Sequence, residues 1–193
     1  MSMIKFIVVG ETEVGKTSLV SRWVMGIFPR FETIKTTVGA AFTTKKYQFD
    51  KSVVFLQIWD FAGQSRFTKF MYSLIRGAKA GLLVFDLSKL STLEVIENFW
   101  IPQIKEILAL DLSTTPENEY ILVGNKLDIA KKENKLLDAL KEAEEVARRY
   151  NLDFVAISAK TGENMDKLEE KIVEKVRKVV EGESFLTDRN LKS

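Results

Sequence analysis

The chain has 193 residues, 46% hydrophobic and 29% charged, with 29 Lys and Arg against 27 Asp and Glu for a formal net charge of +2. That mix suits one packed domain and argues against disorder, collagen-like repeats and a lone coiled coil, and the near-neutral balance argues against a nucleic-acid binder. Cysteine and histidine are both absent, which excludes disulfide scaffolds, thiolate and imidazole metal sites, cysteine nucleophiles and Ser-His-Asp triads.

The run Phe6–Val9 is too short for a signal segment or a membrane span, and Ser2 rather than Gly follows Met1, so N-myristoylation is unsupported. The expectation is a soluble cytoplasmic chain. Ile4–Val9 reads as a first strand, 10–15 as a loop and Lys16–Met25 as a helix, followed by an irregular exposed stretch from Gly26 to Gly39 around Pro29. Phe42–Phe49 and Val53–Trp59 are strand candidates with so short a connection that they must form an antiparallel hairpin. Ala80–Phe85 has the unbroken apolar run of a central strand.

Helical spacing follows over Leu93–Leu110, then a strand at Tyr120–Val123, a helix at Lys132–Tyr150 and a last strand at Phe154–Ile157. Met165, Leu168, Ile172, Val176 and Val179 line one face of a final helix, with Gly182 as its expected stop. This predicts one domain over 1–182 and a tail over 183–193. Strands alternating with helices indicate an α/β fold on a mainly parallel sheet.

Three motifs carry chemistry. Gly10-Glu11-Thr12-Glu13-Val14-Gly15-Lys16-Thr17 fits G-x-x-x-x-G-K-[ST], between a strand and a helix. The glycines allow a tight loop whose amides, among them those of Glu13, Val14, Gly15 and the Lys16–Ser18 turn, can face phosphate oxygens. Lys16 adds a point charge, and Thr17 offers a hydroxyl to Mg²⁺. This says nucleoside triphosphate, without choosing ATP or GTP. Asn125-Lys126-Leu127-Asp128 and Ser158-Ala159-Lys160 follow strands directly, where open α/β sheets bind ligands. A carboxylate at Asp128 can accept from the N1–H and exocyclic amine of guanine, a donor pair that adenine lacks.

With Thr37 in a TTVGAAF run and Trp59-Asp60-Phe61-Ala62-Gly63-Gln64, these motifs stand in the order found in small GTPases of the Ras superfamily. The chain resembles that family over about residues 3–180, closest to the Rab branch. The resemblance implies a P-loop NTPase three-layer sandwich with a six-stranded, mainly parallel sheet, one antiparallel hairpin strand and five helices. It implies GTP or GDP and Mg²⁺ as ligands, with Thr17, Thr37 and Asp60 about the ion. The Gly63 amide is implied to meet the γ-phosphate and Gln64 to orient the attacking water beside Lys16. Asn125 and Lys126 brace the base, Asp128 reads it, and the Ala159 amide, between Ser158 and Lys160, meets the guanine oxygen. Phe28 is expected to stack on the base, with Phe31 its rival.

Departures concern the switch segments. Thr12 stands where some members of the superfamily have Gly, and Phe61, Ser65, Leu74 and Ile75 replace residues usual in Rab proteins. The chain carries no prenylation cysteine, so no direct lipid anchor is expected, and membrane association would run through partners. The reading is a monomeric switch that hydrolyses GTP slowly, recruits effectors in the GTP state and answers to exchange factors and GTPase-activating proteins. The alternative is a GTP-locked scaffold with negligible hydrolysis. A P-loop kinase or ATPase would lack NKLD and SAK, and a GTPase acting on RNA would bring a basic face or extra domains.

Overall fold

The computed structural model describes residues 2–29, 39–49, 52–61, 73–108, 119–134 and 136–190. Six strands form one sheet: β1 (Ser2–Val9), β2 (Ala40–Phe49), β3 (Ser52–Phe61), β4 (Ala80–Asp86), β5 (Tyr120–Asn125) and β6 (Asp153–Ala156). Their order is β2-β3-β1-β4-β5-β6. Only the β2–β3 pair is antiparallel, with Phe42 opposite Trp59, and the other pairs are parallel. The expected hairpin and parallel sheet are therefore present.

Period-two alternation sends the strands' side chains to two cores. Ile4, Phe6 and Val8 of β1, with Leu82 and Val84 of β4, face a core closed by Leu19 and Trp23 of α1 (Lys16–Met25) and by Leu168, Ile172 and Val176 of the final helix. Ile7 and Val9, with Leu83 and Phe85, face the opposite core. There the cover is α2, made of Ser91–Val95, a π-helical turn Ile96–Trp100 and Ile101–Leu108. The π turn has a cause in sequence: Pro102 cannot donate to the carbonyl four residues back, and the ladder widens just before it, with the Ile101 amide reaching Ile96.

After β5 the chain turns at once into a short helix, α3 (Leu127–Lys132), that its periodicity does not announce. The helix expected from Lys132 begins instead at Leu136, as α4 (Leu136–Arg149). Asn134 adopts φ 54°, and a left-handed residue ends a right-handed helix. The final helix, α5 (Met165–Asn190), is corrected too: it runs through Gly182 instead of stopping there. Gly182 is not among the glycines with positive φ, so the left-handed turn that makes glycine a helix stop is missing. Among the described residues no helix is long and apolar enough to cross a membrane.

This topology positions the site. Strands β3 and β4 lie on either side of β1, so the chain leaves the carboxyl ends of neighbouring strands in opposite directions and opens a crevice there. The loops after β1, β5 and β6, together with Asp60 near the end of β3 and Asp86 at the end of β4, converge on that edge.

Candidate functional site

The loop after β1 is built for close approach of backbone. Gly10, Glu13 and Gly15 hold φ 150°, 65° and 90°. A Cβ on Gly10 would lie 2.0 Å from the Val84 carbonyl oxygen, and one on Gly15 would lie 2.5 Å from Asn125 Nδ2. Gly10 thus lets the loop lie on β4, and Gly15 lets it meet the loop after β5. Val14 is buried in the α1 core, and Ser18 is buried beside it in α1.

Lys16 is 6% exposed. Its ammonium donates to the carbonyls of Gly10 at 3.0 Å and Glu11 at 2.7 Å. Burial pushes its pKa down to about 8, against the opposing pull of the Asp60 and Glu11 carboxylates. A cation held by two neutral carbonyls over the N-terminus of a helix is poised for an anion.

Thr17 and Asp60 come together at the mouth. The hydroxyl donates to Asp60 Oδ2 at 2.5 Å, while buried Asp60 Oδ1 has no partner. Burial raises the Asp60 pKa, with the Thr17 hydrogen bond and Lys16 acting against it. Among the described residues no group of three or more acidic side chains forms a cage. The set nevertheless fits Mg²⁺, a hard ion that takes one or two protein oxygens and completes its shell with phosphates and water.

The second half of the site hangs on Asn125. Its Nδ2 donates to the Val14 carbonyl at 2.9 Å, and its Oδ1 accepts from the Ala159 amide at 3.1 Å. One buried side chain therefore ties the glycine loop to the loop after β6. Lys126 holds φ 62° at the start of α3 and pairs with Asp86 Oδ2 at 2.7 Å. Asp128 lies in the first turn of α3, and its Oδ1 accepts from the Ser158 hydroxyl at 2.7 Å. Ser158 is fully buried, and its oxygen also accepts from the Thr161 amide at 3.1 Å. Lys160 is exposed on the same turn.

The expected residues Glu13 to Ser18, Asp60, Asn125, Lys126, Asp128 and Ser158 to Lys160 thus share one edge of the sheet. The Ala159 amide, which the resemblance assigns to a base oxygen, donates to Asn125 in this structure. Phe28 is half-buried, packed against the α1 core. Thr37, Gly63, Gln64 and Phe31 lie outside the described residues. Asp86 was not anticipated; the signal for it is an acidic residue closing an otherwise apolar central strand.

Comparison with known proteins agrees with this geometry. Residues 5–178 match the Ras family. The chain is 35% identical to Ras-related protein Rab7 of Glycine max over 165 residues, 86% of this chain and 78% of that one. It is 35% identical to Ras-related protein RABG3b of Arabidopsis thaliana, over 86% of this chain and 79% of the relative. It is also 36% identical to GTP-binding protein YPT53 of Saccharomyces cerevisiae over 177 residues, 90% and 76% of the two chains.

Proposed function

The chain belongs to the Ras family, whose general activity is GTP hydrolysis, on its Rab branch, and on that premise we propose that it is a guanine-nucleotide switch recruiting partners in its GTP state. The observation that carries this reading is the position of Asn125, bonded to both the glycine loop and the loop after β6. A phosphate-binding element and a base-reading element are held at fixed separation by one side chain, as a single nucleotide would require.

In this reading Lys16 exchanges its two carbonyl partners for the β- and γ-phosphates. Mg²⁺, when bound, would supply further neutralisation of phosphate charge. Thr17 and Asp60 would hold the ion, with Thr37 joining them in the GTP state. Gln64 orients a water for in-line addition to the γ-phosphorus, the bond to the β–γ bridging oxygen breaks, and GDP and phosphate are released. The Gly63 amide steadies the γ-phosphate. Glu13, Val14, Gly15 and Ser18 supply the rest of the phosphate cradle.

The Asp128 carboxylate accepts from guanine, and the Ser158 hydroxyl on Oδ1 orients it. The Ala159 amide shares its hydrogen between Asn125 and the guanine oxygen. Lys126 and Asn125 brace the base, and Phe28 or Phe31 stacks on it. The glycine loop contains no arginine, so intrinsic turnover is slow and an activating protein accelerates it by roughly three to five powers of ten.

Partner recruitment draws on the face at Phe42, which is 52% exposed and set edge-on against Trp59. The G domain includes α5, which continues past Gly182, and the protein works as a cytoplasmic monomer that reaches membranes through partners. The test is to denature the purified protein, identify the released nucleotide and follow a single turnover of GTP. Bound GDP and a measurable turnover that Gln64→Leu slows without loss of GTP affinity support the switch. Retained GTP with no turnover would indicate a locked scaffold, and an adenine nucleotide would overturn the base assignment.

A further inference from the structure

Arg22 lies on α1, six residues beyond Lys16. Its guanidinium reaches three backbone carbonyls. Nε donates to Ala159 at 3.0 Å, Nη2 to Lys160 at 2.8 Å and Nη1 to Gly26 at 3.1 Å. Among the described residues no carboxylate pairs with it. The two acceptors at 159 and 160 belong to the turn that Asn125 holds from the other side through the Ala159 amide. The Ala159 residue is therefore gripped at both ends, its N–H by Asn125 and its C=O by Arg22.

From this geometry we infer that Arg22 is a positioning residue that sets how long the nucleotide stays bound. The inference rests on the reading that the 158–160 turn faces the base. Helix α1 starts at Lys16 and Thr17, which face the phosphates in that reading. Through Arg22 the same rigid helix also holds the base-side turn. The helix thus acts as a ruler between the two ends of the ligand. A planar fork with donors in fixed directions suits two successive carbonyls, and charge-assisted hydrogen bonds to them are stronger than neutral ones. Nη1 adds Gly26, where the chain leaves α1 toward Phe28, so one side chain steadies two walls of the same site.

The experiment measures dissociation of fluorescent GDP and of fluorescent inosine diphosphate from the wild type, Arg22→Ala and Arg22→Lys. Inosine diphosphate keeps the 6-oxygen and lacks the amine that Asp128 would read. In Arg22→Ala both nucleotides should leave about tenfold faster or more, the effect of losing the charge-assisted hydrogen bonds that hold the 159–160 carbonyls. The ratio between the two nucleotides should stay at its wild-type value, because Asp128 is untouched. Arg22→Lys should fall between, since one ammonium cannot match the fork.

A release rate within twofold of wild type for Arg22→Ala would overturn the inference. So would a collapse of the guanine-to-hypoxanthine ratio, or complete rescue by Arg22→Lys. Should Arg22→Ala fail to fold by circular dichroism, Arg22→Gln, which is shorter but keeps an N–H donor at the ε position, is measured against the same criteria. A wild type that retains no guanine nucleotide would overturn the base-site reading itself, an outcome distinct from an Arg22 variant that behaves like wild type.

Discussion

Thr17 and Asp60 stand 43 positions apart in the chain and meet at 2.5 Å, the hydroxyl on Oδ2 and the other carboxylate oxygen left without a partner. An unpartnered buried carboxylate oxygen is costly, and burial raises the Asp60 pKa accordingly. A cation at that oxygen removes the cost. Chelating Mg²⁺ with EDTA should therefore speed release of bound GDP by about tenfold or more, and Asp60→Asn should raise the Mg²⁺ concentration needed to restore slow release by a similar factor. Release that ignores Mg²⁺ in the wild type would remove Asp60 from the metal site.

Lys16 gives a pH dependence. Without nucleotide its pKa lies at about 8 because the ammonium is buried, whereas a phosphate would hold it charged. From pH 7 to pH 9 GDP affinity should weaken about tenfold, and binding at pH 9 should take up close to one proton. Calorimetric titrations in two buffers of different ionisation heat measure that proton directly. The same lysine affects folding with a definite sign. Unfolded, it titrates near 10.5, so from pH 8 upward the unfolded chain holds a proton that the nucleotide-free fold has released. Lys16 therefore makes the nucleotide-free protein more stable as pH rises through that window.

The glycines give a contrasting pair. Alanine at Gly10 would put its Cβ 2.0 Å from the backbone carbonyl of Val84, and β4 cannot move aside. Gly10→Ala should cost roughly 3 kcal/mol or more of stability, read from denaturant midpoints. Alanine at Gly15 would meet a side-chain amide instead, at 2.5 Å from Asn125 Nδ2. Gly15→Ala should leave a folded protein with nucleotide affinity lowered about tenfold or more, because Asn125 must let go of the Val14 carbonyl. Equal losses of stability in the two variants would contradict this distinction.

A fourth prediction concerns stability alone. Glu169 on α5 accepts from Trp23 Nε1, from Lys45 Nζ at 2.8 Å and from Tyr47 Oη at 2.9 Å. The Tyr47 hydroxyl is held far above its ordinary range, first by burial and then by that carboxylate. Glu169→Ala leaves all three donors without this acceptor and should cost about 2 kcal/mol, while Glu169→Gln should retain part of the network. Trp23 fluorescence and urea unfolding follow both variants.

Much of this was legible in the sequence because the loop after β1 and the segments beyond β5 and β6 carry residues with one purpose each. A Gly-rich loop between an apolar strand and a helix has few structural solutions, and Ala80–Phe85 reads as a central strand because its apolar run is unbroken; the structure buries it throughout. What stayed hidden depends on long-range partners. Nothing local marks Arg22, a surface-type residue on an amphipathic helix whose acceptors lie 137 and 138 positions away. Gly182 misled because glycine is only permissive: it can end a helix in a left-handed turn, but nothing obliges it to. The start of α4 depended on the backbone angle of Asn134, which composition does not reveal.

Because Asn125 is bonded at once to Val14 and to Ala159, the two ends of the site are energetically coupled. Substitution of Asn125 would therefore release the glycine loop and the loop after β6 in one step, whereas loss of Arg22 leaves both Asn125 bonds in place.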